Sequence, residues 1–157
     1  MTISSTFNAL ETLLAKLGTW LQPVLLLILR LYWGYSCMRT GWGKLMNLER
    51  TANYFASLHI PAPTVNAIAA GATECVGGVL LGLGLFSRFA SPALISVMVV
   101  AYVTAEREAL RSIFSDPDKF IGADPFLFLL VALIVFAFGP GKLSVDALLR
   151  KTTETAK

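Results

Sequence analysis

Residues 66–88, NAIAAGATECVGGVLLGLGLFSR, decide how the rest of the chain is read. The stretch is long and apolar enough to cross a bilayer as a helix, which takes about 20 such residues. One ionisable group, Glu74, stands near its middle. An acid at that depth is costly unless it faces a bundle interior and finds a partner, so it marks a candidate functional site. Gly77, Gly78, Gly82 and Gly84 follow it, and the Gly78-x-x-x-Gly82 spacing suits close contact with another helix. Packing within the chain is the simpler use of that face, and dimerisation is the other.

Composition points the same way. The 157 residues are 55% hydrophobic and 15% charged, with a mean hydropathy of +0.67, whereas soluble domains carry about 25% charged residues. The net charge of +3 comes from scattered Lys and Arg that form no stripe, which speaks against nucleic acid and for orientation and lipid contact. Cys37 and Cys75 belong to no CxxC motif and are too few for a disulfide framework. A single histidine, His59, gives no basis for a histidine metal cluster, and no metal is predicted. No GxGxxG or Walker lysine is present.

Working outward, residues 1–19 lack the features of a cleavable signal. Their apolar residues Ile3, Phe7, Leu10, Leu14 and Leu17 recur at helical spacing, which predicts an amphipathic helix in the interface. Spans are expected at about 20–38, 65–86, 89–105 and 121–138. Pro23 and Pro92 are expected in first turns, where a missing N–H costs nothing. A short connector helix after the first span is ended by Pro61 and Pro63, and residues 142–157 form a polar tail. The predicted fold is an all-α, integral membrane four-helix bundle in a single domain.

Four spans place both termini on one face. Lys16, Arg88, Lys142, Arg150, Lys151 and Lys157 fall on that face, and Arg39, Lys44, Arg50, Arg107, Arg111 and Lys119 on the other. That balance leaves orientation undecided by the positive-inside count. Cytoplasmic termini are the working assignment.

Glu74 needs a partner, and Arg30, alone in the first span's apolar run, is the obvious one. At about 1.5 Å rise per residue, Glu74 lies ~18 Å from the end of its span and Arg30 about 10–15 Å from the same face. The expectation is an Arg30–Glu74 pair in an interior pocket, with Tyr32, Trp33 and Tyr35 near its wall. Such a pair serves either a ligand or helix register alone. Cys37 and Cys75 differ in expected depth by about 4–9 Å, at or beyond disulfide reach.

Arranged in order, these residues resemble the DoxX family of small four-span bacterial membrane proteins. The resemblance rests on Arg30, on Gly41-Trp-Gly-Lys44 and on the connector YFASLHIPAP. It continues through Glu74 with Gly77-Gly78, then Gly84-Leu-Phe-Ser-Arg88 and the closing GPGKLSVDALL. His59 stands where that family usually has glycine. The resemblance implies a bacterial inner-membrane location and a link to quinone-dependent oxidation of thiols or sulfur compounds, with quinone as the expected cofactor. Arg30, Lys44, Glu74, Arg88 and Asp146 are its polar motif positions in this chain, and Lys44 and Arg88 join Arg30, Glu74, Tyr32 and Trp33 as ligand-pocket candidates. Partners implied are the lipid bilayer, a redox protein and a second copy of the chain. The thiol-redox relatives use paired cysteines, which this chain lacks, so an accessory or subunit role is expected rather than autonomous disulfide chemistry. A membrane scaffold with a purely structural ion pair is the alternative, and an oligomeric transporter the third.

Overall fold

Long apolar runs broken by Gly, Pro and Asp give eight helices and no strand among residues 3–155, which the computed structural model describes. They are α1 (Ile3–Met46), α2 (Leu48–Ser57), α3 (Pro63–Leu83), α4 (Ser87–Thr104), α5 (Arg107–Arg111), α6 (Pro117–Ile121), α7 (Pro125–Phe138) and α8 (Val145–Thr155). Helices α1, α3, α4 and α7 form a bundle around Cys37, Leu81, Leu94, Met98, Val131, Ala132 and Val135. Three of them, α1, α3 and α4, are long and apolar enough to cross a membrane.

Glycines set the closest contact. Helices α1 and α3 run antiparallel, with Gly34 against Gly78 and Gly82, and Gly41 against Gly71. A Cβ on Gly34 would sit 2.7 Å from the Gly78 carbonyl oxygen, and one on Gly41 would sit 2.5 Å from that of Gly71. Gly34 and Gly41 are one heptad apart, as are Gly71 and Gly78, so both helices turn the same bare seam toward each other. Gly77 points the other way, onto Leu94 of α4. Helix α3 ends at Gly84, whose φ of 66° suits glycine. The chain then reverses through Leu85 and Phe86 into α4.

Several expected boundaries move. The N-terminal segment and the first span form one helix of 44 residues, ~66 Å long and about twice the hydrocarbon thickness. Gly18 and Thr19 at the junction do not break the helix, and the helical period runs through them. Pro23 therefore lies well inside α1, where it removes one i→i−4 bond. Pro92 is the sixth residue of α4, again past the first turn. Helix α1 also continues beyond Met38 through Gly41 and Lys44 to Met46, then breaks at Asn47.

The fourth span is shorter than expected. Helix α7 has 14 residues and starts at Pro125, because Gly122–Asp124 separate it from α6. Short helices α5 and α6 are tied by Lys119 to Glu108 at 3.0 Å, and the Lys119 hydrogen bond and charge hold the Glu108 carboxyl below its ordinary range. The polar tail folds as α8, capped by Ser144, whose hydroxyl accepts the Ala147 N–H at 3.2 Å. The connector keeps its helix, and His59 beyond it has φ 59°, a left-handed conformation that favours glycine.

The seam makes a direct prediction. Gly41→Leu or Gly78→Leu forces α1 and α3 apart at a cost of about 1–3 kcal/mol, lowering the thermal-unfolding midpoint in detergent. Gly43, with open space around its Cα, should accept Ala with no loss. Equal midpoints for Gly41→Leu and wild type would contradict this packing.

Candidate functional site

Glu74 sits in the middle of α3 and is 3% exposed. Its partner is Lys44, whose ammonium donates to both carboxylate oxygens. The geometry follows from the seam. Gly41 lets the α1 backbone rest on α3 beside Glu74, where a Cβ on residue 41 would sit 2.8 Å from the Glu74 Cβ. Lys44 is the next residue along that helix face. Helical side chains lean toward the N-terminus, so the lysine stem reaches back over the seam to the acid.

This pair lies on the wall of a cavity of about 450 Å³. Thr40 and Lys44 enter it from α1, Tyr54 and Phe55 from α2 with Leu58 just beyond its end, and Thr73 and Glu74 from α3. Ser96, Val97 and Met98 of α4 and Phe128 of α7 face them, with Glu106 and Asp124 also lining the space. Helix α2 is placed there by the chain break at Asn47 and by Thr51, whose hydroxyl donates to the Lys44 carbonyl at 3.2 Å. The result is a mostly apolar chamber with one ion pair and a few hydroxyls, the usual make-up of a small-molecule site.

Arg30 is elsewhere. It is fully buried, and its Nη2 donates to the Leu143 carbonyl at 2.6 Å. Its Nη1 lies against Gly84, where a Cβ would collide with it. Asp146 provides a nearby countercharge. The Asp146 carboxylate also accepts the Phe86 and Ser87 N–H groups at 2.9 and 3.1 Å, and its own N–H donates to the Gly84 carbonyl at 3.0 Å. Arg30 and Asp146 thus lock the segment after α7 onto the α3–α4 turn.

The expected Arg30–Glu74 pair is therefore not formed. Arg30 and Lys44 are ~21 Å apart along α1, and in the antiparallel register Arg30 meets the end of α3 while Gly41 meets its middle. Depths counted from a span start at residue 20 misplace Arg30, because all side chains from 10 to 22 are exposed and the helix joins the bundle only afterward. Of the other expected lining residues, Tyr32 and Tyr35 point outward, 64% and 61% exposed. Arg88 is exposed. Trp33 packs edge-on against Phe128 at 5.0 Å, behind the cavity wall. Gly77 faces Leu94 of α4, and Gly78 and Gly82 face α1. Cys37 and Cys75 are free thiols. Among the described residues no cluster of three or more His, Cys, Asp or Glu is placed to hold a metal.

Sequence reading also passed over the cavity's α2 and α4 walls. Tyr54 and Phe55 lie in the quoted connector, but their helix face is set by the break at Asn47, which carries no strong turn signal.

Two predictions follow from the clusters. Lys44→Met strands a buried carboxylate and should cost about 3–5 kcal/mol of stability, part of which Glu74→Gln in the same chain restores; additive losses would argue against the pair. Asp146→Ala removes the ligand of two N–H groups and should speed amide hydrogen exchange at Phe86 and Ser87 while leaving exchange around Glu74 unchanged.

Comparison with known proteins matches the DoxX family model over residues 25–107. The uncharacterized membrane protein Rv3486 of Mycobacterium tuberculosis is 32% identical over 141 residues, covering 82% of this chain and 83% of that one. The inner membrane protein YphA of Escherichia coli is 39% identical over 67 residues, 43% of this chain and about half (48%) of YphA. No solved structure matches. Matching the family model over residues 25–107 and a 32% identical membrane protein over 82% of its own length, and carrying three membrane-length helices, this chain belongs to the DoxX family of membrane proteins.

Proposed function

We propose that the cavity beside Lys44 and Glu74 binds a quinone headgroup, and that the protein serves as a membrane subunit of a redox system that oxidises thiols or sulfur compounds. The observation that carries the binding site is the pair of half-buried Lys44 and buried Glu74 on the wall of a mostly apolar chamber of about 450 Å³. A pair kept only for stability has no need of a cavity, since apolar replacements pack as well or better.

The residues suit the group. A quinone presents carbonyl oxygens that accept hydrogen bonds and a flat ring that packs on aromatics. Lys44 has three N–H donors, of which two directions serve Glu74 and one remains for a carbonyl. Glu74 is placed to hold a proton from a quinol hydroxyl. Tyr54, Phe55 and Phe128 supply ring-shaped apolar walls. When bound, a quinone supplies acceptance of two electrons and two protons. Cys37 and Cys75 are separate thiols, so the electrons come from a partner protein. The resemblance of the motifs and the inner-membrane description of YphA support placement in a bacterial inner membrane; cytoplasmic termini are part of the proposal and do not rest on them.

The scaffold reading draws support from Arg30 and Asp146, whose contacts all serve docking of the chain's end onto α3 and α4. One titration separates the two. A short-chain quinone added to the purified protein in nanodiscs should bind, and Glu74→Gln or Lys44→Met should weaken it about ten- to a hundredfold, the worth of a charged hydrogen bond. Arg88→Gln should leave binding unchanged. No binding by the wild type, or equal binding by both site variants, would favour the scaffold.

A further inference from the structure

A second cavity, of about 710 Å³, lies at the opposite end of the bundle, between the N-terminal half of α1 and the turn that follows α7. We infer that it binds an anionic phospholipid, with the phosphate held between Lys16 and Lys142. The two lysines come from elements far apart in sequence, yet both line this one groove. Both are exposed, and neither forms an ion pair among the described residues. Two like charges facing one groove repel each other unless an anion lies between them.

The remaining wall identifies the kind of anion. Trp20 lines the groove and is 70% exposed; its indole offers an N–H beside an apolar face, a combination suited to the headgroup layer. Ala15, Pro23, Val24 and Leu143 continue the groove as an apolar floor. A free phosphate has no use for that floor, whereas an acyl chain does. The hydroxyls of Thr12 and Thr19 already donate to the carbonyls of Asn8 and Ala15, so the donors left for a phosphate are the two ammonium groups and the indole. Depth agrees as well. Gly141 packs on Leu26 where α7 has ended, which puts Lys142 at the boundary of the apolar slab. The exposed Leu13, Leu17 and Leu21 carry the apolar surface of α1 past that boundary.

The site is independent of the Lys44–Glu74 cavity and is tested without reference to it. The full chain in neutral detergent is titrated with phosphatidylglycerol, with phosphatidylcholine and with inorganic phosphate, reading the thermal-unfolding midpoint and lipid retention by native mass spectrometry. Phosphatidylglycerol should raise the midpoint and stay bound, more weakly as salt rises, and the other two should do neither. Lys16→Gln/Lys142→Gln should weaken phosphatidylglycerol binding about thirtyfold, each surface lysine contributing about five- to sixfold. Arg50→Gln/Arg107→Gln, with the same charge change on the other face, should retain it. Since all four positions are solvent-facing, the unliganded midpoints serve as the folding control. Equal response to phosphatidylcholine, or an undiminished response in the Lys16/Lys142 variant, would overturn the inference. A matching response to inorganic phosphate would overturn the lipid and leave a free-anion site.

Discussion

The backbones of α1 and α3 touch along Gly34, Gly41, Gly71 and Gly78, and the two buried polar clusters take their places from that contact. In a bilayer no hydrophobic force drives helices together, because lipid tails are as apolar as leucine. Close approach is what earns association, through dispersion and short carbonyl contacts. Small residues one heptad apart give two points of contact on one straight seam. Two points fix a register as well as a distance.

That register separates two kinds of polar chemistry. At one end of α3, Arg30, Gly84, Leu143 and Asp146 bind the end of the chain to the α3–α4 turn. Arg30 Nη2 and the Asp146 carboxylate make its hydrogen bonds, while Arg30 Nε and Nη1 are buried without an acceptor. At the middle of α3, Glu74 and Lys44 border empty space instead of packed side chains. Both clusters carry buried charge, whose desolvation a membrane interior makes severe. The first offsets it with backbone hydrogen bonds to a folded tail. The second offsets it with a single partner and leaves donors facing a chamber large enough for a small molecule.

Much of this was legible in the chain itself. The apolar lengths give a helical membrane bundle, the glycines of 77–82 predict tight packing, and Glu74 stands out as an acid at mid-span. Lys44 was visible as a motif residue and a pocket candidate, but its pairing with Glu74 was not, because Trp42 and Lys44 together suit a headgroup boundary where the helix in fact continues. Arg30 looked like the partner since both residues are charged and near mid-span. Which helix face meets which depends on the seam, and Gly34, its far end, lies inside an aromatic run that hides it. The merging of residues 3–19 with the span, and the breaking of the fourth span at Gly122, both turn on local breakers whose effect is decided by tertiary context rather than by propensity. The outer end of α1 and the turn at Lys142 meet across more than a hundred residues, a distance no local pattern spans.

The chamber beside Lys44 is the feature on which ligand binding depends. An experimental density map of the wild-type protein, purified and imaged in its native lipid, tests it most directly. It should show Lys44 bonded to Glu74, and elongated density in the chamber within hydrogen-bond reach of the lysine and flanked by Phe128. A chamber closed by its own side chains, or Glu74 joined to Arg30, would contradict it.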